Sequence, residues 1–138
     1  MVSHYVIPGL KMDLEEKQRF AYRYIPKHQV VNFQQEAVGI IAIICERFDV
    51  PVREVLGKSR KSDLVYVRDW CFYFLWRNTK LPITAIGKLM GRDHTTALYS
   101  KNKVFNNIHD KTYTFHEKYV RDEAIIKIAL NEIVGKKN

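Results

Sequence analysis

Apolar residues recur along most of this chain at the three- and four-residue intervals that are typical of amphipathic α-helices. The segment from Phe33 to Phe48 is the first long example, with a stripe formed by Ala37, Ile41, Ile44 and Phe48 and bordered by Val38, Ala42 and Cys45. Ile40 and Ile43 fall outside this stripe, so the predicted helix needs cover on a second side. We expect that cover from apolar residues near the N-terminus: Tyr5, Ile7, Leu10, Phe20 and Tyr24.

The residues before this helix predict a separate N-terminal extension. Asp13 and Glu16 have the spacing of a capping box, which favours a short helix ending near Tyr24, before Pro26. We therefore divide the chain into an extension of residues 1–32, which packs on the domain and could bind a protein partner or a second copy, and a domain of residues 33–138.

The middle of the chain predicts a short helical turn followed by a longer helix. Pro51 ends the preceding helix, because proline cannot continue it and disfavours helical angles at Val50. A turn over residues 52–56 then ends at Gly57. The longer helix runs from about Ser62 to Arg77, with Ser62 or Asp63 as its cap and an apolar side of Leu64, Val67, Cys71, Phe74 and Leu75.

Two further helices are separated by a very short connection. Pro82 opens the first in the favoured first-turn position, and its buried side is Ile83, Ile86, Leu89 and Met90. Gly91 ends it. The second begins at His94, with inner positions Ala97, Leu98, Val104 and Phe105. Two helices joined by a glycine-containing turn of about three residues form the helix-turn-helix pattern.

A terminal helix from His116 to Val134 completes the prediction. Its apolar side is formed by Val120, Ala124 and Ile128, with Leu130 or Ile133. No alternating strand pattern competes anywhere, so the predicted fold class is all-α.

The positive charge of the chain is concentrated in one third of its length. The 138 residues carry 23 Lys and Arg against 15 Asp and Glu, a formal net charge of +8. Residues 58–103 hold ten of the basic residues and only three acidic ones, so this stretch supplies almost the whole excess. A concentrated basic stretch is typical of proteins that bind a polyanion, although a solvated surface gives the same pattern.

The two cysteines and the N-terminus indicate a cytoplasmic protein without a cofactor. Cys45 and Cys71 lie in apolar surroundings and match no metal-ligand spacing, so we expect buried thiols and no metal. The N-terminus lacks the basic start of a secretory signal, and no apolar run approaches the roughly 20 residues that span a bilayer. We expect no membrane anchor.

Three segments carry a resemblance to a known family. Leu56-Gly57-Lys58-Ser59-Arg60-Lys61, Leu81-Pro82-Ile83-Thr84-Ala85-Ile86-Gly87 and Gly91-Arg92-Asp93-His94-Thr95-Thr96-Ala97-Leu98, in this order, resemble the C-terminal DNA-binding domain of the bacterial replication initiator DnaA. The resemblance covers residues 37–108 well, extends plausibly through the terminal helix, and leaves out the first 30 or so residues.

The resemblance implies a Trp-repressor-like helix-turn-helix that binds a short duplex box. It places Asp93, His94, Thr95 and Thr96 in the major groove and Arg60 in the adjacent minor groove. The chain departs from the usual pattern where Met90 precedes Gly91, in place of a second glycine, and where Asp69 follows Arg68, in place of glutamine. Family initiators are ATPases, but here the glycine of a phosphate-binding loop, five positions before Gly57, is Val52. We therefore expect a stand-alone DNA-reading module and no enzyme.

The residue types at these positions have physical roles that do not depend on the family. In the major groove a carboxylate such as Asp93 is tolerable where it accepts from a cytosine amino group. The simpler alternative is that Asp93 caps the helix. His94 can donate or accept at a base edge, and the threonines offer a hydroxyl and a methyl group. Arg60 suits a narrow, A·T-rich minor groove.

Seven other basic residues are candidates for phosphate contacts: Lys58, Lys61, Arg68, Arg77, Lys80, Arg92 and Lys101. Four aromatic residues, Tyr66, Trp70, Tyr73 and Trp76, could stack on single strands, but their spacing along one helix favours packing. The sequence thus predicts a sequence-specific binder of double-stranded DNA acting in replication, transcription or mobile-element maintenance. Two alternatives stay open: a protein-interaction adaptor, and the detached DNA-binding part of a mobile-element protein.

Overall fold

The computed structural model describes the backbone of residues 27–137 and the side chains of residues 36–131. Within this part the chain forms six α-helices and no strand, which confirms the all-α prediction. The helices are α1 Lys27–Arg47, α2 Val52–Leu56, α3 Ser62–Asn78, α4 Ile83–Leu89, α5 His94–His109 and α6 His116–Lys137. The capping box near Asp13 and the apolar residues expected to cover α1 lie outside the described residues. The division proposed between residues 32 and 33 falls inside α1.

The helix boundaries follow the local signals. α1 ends before Asp49, which has a left-handed φ of 55°, and Pro51 occupies the N-cap of α2. Pro82 lies at the N-cap of α4, one position before the first helical turn in which it was predicted. α3 begins without the predicted cap: Lys61 is its N-cap residue and makes no side-chain cap hydrogen bond, while Asp63 Oδ1 accepts only from the neighbouring Leu64 N–H.

Helix α3 is the centre of the fold. It packs against α1, α2, α4 and α5, and ten of its residues are buried, including the whole run from Val67 to Leu75. The core also contains Ala37, Ile40, Ile41, Ile44 and Cys45 from α1. Ile40 is therefore in the core, whereas Val38, expected beside the stripe, is 47% exposed. Cys45 and Cys71 are buried free thiols, as predicted, and they contact each other between α1 and α3.

Aromatic side chains of α3 form packed layers with the terminal helix. Trp70 is fully buried, its ring centroid lying 5.6 Å from that of Tyr119 and 5.7 Å from that of Phe74. Tyr66 donates to Asp122 in α6. Packing is therefore the role of Tyr66, Trp70 and Tyr73, as their spacing favours.

The inner faces of α5 and α6 differ in part from the prediction. In α5, Ser100 and Ile108 are buried with Ala97 and Val104, whereas Leu98 and Phe105 are 43% and 41% exposed. In α6 the buried residues are Tyr119, Asp122, Ile126 and Leu130, and the predicted face of Val120, Ala124 and Ile128 is exposed. Both faces of α6 carry apolar residues at helical spacing, so periodicity alone does not distinguish them.

This face of α6 can be tested by a matched pair of truncations. We expect Ile126→Ala to lower the free energy of unfolding by about 2–5 kcal/mol, because Ile126 is fully buried. Ile128→Ala removes the same atoms from a side chain that is 60% exposed. We expect it to change the free energy of unfolding by less than about 0.5 kcal/mol. Urea unfolding followed by tryptophan fluorescence measures both; equal effects would contradict this orientation of α6.

Candidate nucleic-acid interface

The turn between α4 and α5 is held by its own backbone. Gly91 has a left-handed φ of 71°, which favours glycine. Arg92 N–H donates to Gly87 O at 2.7 Å and Gly91 N–H donates to Lys88 O at 3.1 Å, the two bonds of a Schellman motif. A Cβ on Gly87 would lie 2.8 Å from Arg92 O and 3.0 Å from Asp93 O, so the turn lies directly on α4. This confirms Gly91 as the end of the helix.

Asp93 begins α5 as its N-cap residue. Its Oδ1 accepts from Thr96 N–H at 2.8 Å, which confirms the capping alternative. This hydrogen bond holds the pKa of the Asp93 carboxyl below its ordinary value, so the group is ionised at neutral pH. Asp93, His94, Thr95 and Thr96 are all exposed. None of the four is used in the core, so each is free to contact a ligand at the start of α5.

The basic loop, residues 57–61, connects α2 to α3. Lys58, Arg60 and Lys61 are exposed, and the loop is shaped by a hydrogen bond from Lys61 N–H to Ser59 Oγ at 3.3 Å. The loop joins the turn before α5 because Leu56 and Gly57 lie beside Gly91 and Arg92. The basic loop therefore begins beside the turn that precedes the exposed start of α5.

Arg68 does not face solvent as the sequence analysis expected of a phosphate contact. It is 6% exposed, its Nε donates to Val55 O at 2.7 Å, and its Nη2 lies 3.3 Å from Gly57 O and 3.4 Å from Glu54 O. Burial lowers the pKa of this guanidinium. The side chain ties α3 to α2 and the beginning of the basic loop, and we remove it from the phosphate candidates.

Arg92 is likewise occupied by carbonyl groups. Its Nη1 donates to Met90 O at 2.8 Å and to Leu56 O at 3.1 Å, and its Nη2 donates to Gly57 O. Burial and the nearby positive charge of Arg68 lower its pKa. A guanidinium used in this way has little capacity left for a phosphate.

The remaining five phosphate candidates differ in the contacts that their side chains make. Arg77 pairs with Glu123 of α6, Nη1 to Oε2 at 2.8 Å, and so joins α3 to α6. Lys101 Nζ lies 4.4 Å from the ring centroid of Trp76, a cation–π contact on a partly exposed aromatic side chain. Lys58, Lys61 and Lys80 are exposed.

Tyr99 and Asn102 lie on the same exposed face of α5 as Thr95, and neither was predicted from the sequence as a site residue. Tyr99 and Asn102 follow Thr95 by four and seven positions, so they lie above it on one helix face. Tyr99 is 69% exposed, the largest exposure among the large hydrophobic side chains of the described residues. Both residues could have been found in the sequence, because intervals of four and seven positions from Thr95 return to the same face of a helix.

An ion pair joins α5 to α3. Lys103 Nζ lies 3.1 Å from Asp69 Oδ2, and the side chain of Asp69 is 5% exposed whereas that of Lys103 is 37% exposed. Burial raises the pKa of Asp69, and the charge of Lys103 opposes that shift. Asp69 thus links α3 to the helix whose first turn is exposed.

Within the described side chains, no group of three or more His, Cys, Asp or Glu residues is arranged to hold a metal ion. None of the described helices has both the length and the apolar character needed to cross a membrane.

Two helices joined by a tight Schellman turn, with uncovered polar side chains at the start of the second, define a helix-turn-helix of the DNA-binding class. The family model of the bacterial dnaA protein helix-turn-helix matches residues 38–104. This match confirms the resemblance to the DNA-binding domain of DnaA.

Curated relatives agree with this assignment. The chromosomal replication initiator protein DnaA of Mycoplasma pneumoniae is 42% identical over 65 residues, 47% of this chain and 15% of that protein. DnaA of Crocosphaera subtropica is 33% identical over 104 residues, 75% of this chain and 22% of the relative. DnaA of Porphyromonas gingivalis is 29% identical over 130 residues, 91% of this chain and 26% of the relative.

This chain therefore spans between 15% and 26% of the length of these three relatives. The Porphyromonas gingivalis match, at 91% of this chain, necessarily extends into residues 1–32. The expectation that the resemblance leaves out the first 30 or so residues was wrong in this respect.

Proposed function

We propose that this helix-turn-helix binds double-stranded DNA sequence-specifically, at a site similar to the box of the DnaA family. The start of α5 enters the major groove, and Arg60 reaches the neighbouring minor groove. One observation carries the proposal: four exposed polar side chains lie at the N-terminus of α5, and the exposed basic loop begins beside the turn that precedes this helix. A surface of this kind can contact two adjacent grooves at once.

The chemistry of the four residues fits base edges in the major groove. A carboxylate has about four acceptor sites, so Asp93 can cap α5 and still accept from a cytosine amino group. His94 can donate or accept, and the threonine methyl groups can pack on the methyl group of thymine. The positive end of the α5 dipole points the same way and favours the nearby phosphates.

Arg60 supplies the contact on the other side of the backbone. Its side chain is exposed in a loop that is joined to the turn before α5. An arginine is favoured in a narrow A·T-rich minor groove, where the negative potential is enhanced. The separation of these two contacts gives the complex a defined register on the duplex.

The proposal is tested by fluorescence anisotropy with a DnaA-type box and a scrambled duplex of the same composition. Preferential binding to the box at two or more salt concentrations supports it. Equal affinity for the two duplexes at every concentration contradicts it. Intact duplex after incubation with Mg²⁺ or Mn²⁺ is expected as well, whereas strand cleavage would favour the mobile-element alternative.

The salt dependence of binding follows from the number of available lysines. Arg68, Arg77 and Arg92 are set aside because their guanidinium groups are bonded to carbonyl or carboxylate oxygens of the protein. Four phosphate candidates remain: Lys58, Lys61, Lys80 and Lys101. With four contacts, the logarithm of the association constant should fall against the logarithm of salt concentration with a slope of about −3.6.

Lys61→Gln is expected to make that slope about 0.9 less steep and to weaken the box and the scrambled duplex equally, because a phosphate contact reads no sequence. A loss confined to the box would instead identify Lys61 as a base-reading residue. Titrations at four salt concentrations measure both quantities.

We also propose that this chain acts by binding and not by catalysis, in the cytoplasm and at the nucleoid. The support for this proposal is that residues 38–104 match the family model of a DNA-binding helix-turn-helix. A role of residues 1–32 in holding a protein partner or a second copy stays a prediction, and size-exclusion chromatography with light scattering would test the second copy.

A further inference from the structure

Two arginines, Arg68 and Arg92, converge on the same short piece of backbone. Arg92, in the turn before α5, donates to Leu56 O and Gly57 O, and Arg68, in α3, donates to Val55 O and Gly57 O. Gly57 O thus receives both guanidinium groups. The basic loop with Arg60 starts at this residue.

The contacts join α3, the end of α4 and the beginning of the basic loop. Arg92 Nη1 also donates to Met90 O, the C-cap carbonyl of α4, at 2.8 Å. One guanidinium therefore bridges the last turn of α4 and the first residues of the basic loop. A Cβ built on Gly91 would lie 4.0 Å from Leu56 O, so the two backbones are already close at this point.

We propose that Arg92 and Arg68 are positioning residues that clamp the basic loop to the helix-turn-helix, so that Arg60 and Asp93 address adjacent grooves at a fixed separation. This inference rests on the proposed function. It differs from a phosphate-binding role because the acceptors of both guanidinium groups are carbonyl oxygens of the protein itself. Arg68 is buried and Arg92 is half-buried, and reduced contact with water favours retention of these bonds.

The planar fork of arginine is needed for such a clamp. Its several donors lie at fixed angles and can serve two or three carbonyl groups together, whereas the ammonium group of lysine is a single point on a flexible chain. A phosphate contact, in contrast, depends mainly on charge, which lysine retains. Replacement of Arg92 by lysine therefore separates the two roles.

The experiment compares Arg92→Lys and Arg92→Gln, with Lys61→Gln as the phosphate-type control, by anisotropy over a salt series. The duplexes are the box, the box altered on its A·T-rich minor-groove side, the box altered on its major-groove side, and the scrambled sequence. The clamp predicts that both Arg92 variants lose about tenfold or more in affinity for the box, with the salt slope unchanged. Retention of affinity in Arg92→Lys, with a slope less steep by about 0.9 in Arg92→Gln, would overturn it.

A second measurement uses no DNA. Amide hydrogen exchange in free Arg92→Lys should be faster over residues 57–61 than in the wild type, with exchange in α3 and α6 unchanged. Unchanged exchange in the loop overturns the clamp. This arm is independent of the box preference, so failure of the proposed function and failure of the clamp are distinguishable.

The wild-type protein provides a test that requires no folded variant. The clamp predicts slowly rotating, separately resolved Nη protons of Arg92 in the NMR spectrum of the free protein. A freely rotating Arg92 guanidinium would contradict the clamp.

Discussion

Asp93→Ser is expected to reduce the affinity for the box by on the order of tenfold or more while leaving the fold intact. Serine caps a helix about as well as aspartate, so the hydrogen bond to Thr96 N–H is retained in kind. The shorter hydroxyl does not reach a base edge at the depth of the carboxylate and cannot supply an ionised acceptor to a cytosine amino group. The loss should therefore appear only with the box.

The matched variant Asp93→Ala separates the cap from the base contact. Alanine removes both, so it should lower the thermal midpoint of unfolding as well as the affinity, while Asp93→Ser lowers the affinity alone. Anisotropy with the box and the scrambled duplex, together with thermal unfolding, provides both readouts. If Asp93→Ser bound the box as tightly as the wild type, Asp93 would be a cap and nothing more.

The measurements belong at neutral pH, where Asp93 is ionised. Its pKa in the folded protein is lowered, chiefly by the Thr96 N–H. A carboxyl of this kind contributes stability above its unfolded pKa and loses that contribution as the pH falls through the folded value. The affinity for the box should decrease over the same acidic range, and should do so less in Asp93→Ser.

Gly87→Ala is expected to produce the second large effect, a loss of about 1–3 kcal/mol in the free energy of unfolding together with loss of box preference. The added Cβ would lie 2.8 Å from Arg92 O and 3.0 Å from Asp93 O. Both are backbone atoms, so no side-chain rotation relieves the contact. The turn must move away from α4, and the start of α5 moves with it.

Gly39→Ala is the control for this substitution. Gly39 is also helical, but a Cβ built there meets nothing within 4 Å. The change should therefore stabilise the protein by up to about 1 kcal/mol, because alanine is the better helix former. Urea unfolding and anisotropy applied to both variants compare the sites directly. Similar stabilities for Gly87→Ala and Gly39→Ala would show that the turn does not press on α4.

Local features of the chain were predictable where the backbone responds to one or two residues. Pro51 and Gly91 mark helix ends because ring closure and a left-handed φ restrict the chain whatever surrounds it. Helix-turn-helix spacing likewise follows from apolar periodicity interrupted by Gly91. The exposure of Asp93, His94, Thr95 and Thr96 was expected from the family resemblance, and the structure agrees.

Local sequence did not predict which of two apolar helix faces is buried in α5 and α6. α6 carries apolar residues on two faces, and the inner one is selected by Tyr119 packing on Trp70 and by the hydrogen bond from Tyr66 to Asp122. Leu98 and Phe105 were assigned inward, but Ser100 and Ile108 lie there because α3 covers that side of α5. These outcomes depend on partners distant in sequence.

The amino-acid sequence by itself determined the class of the fold, the position of the turn between α4 and α5, and the identity of the residues exposed after that turn. Each of these depends on neighbours only a few positions away. Only the tertiary structure decided which charged groups are free. Arg68 and Arg92 read as surface cations along the chain, yet folding brings carbonyls of residues 54–57 to them, and a guanidinium surrounded by backbone acceptors is no longer available to a phosphate.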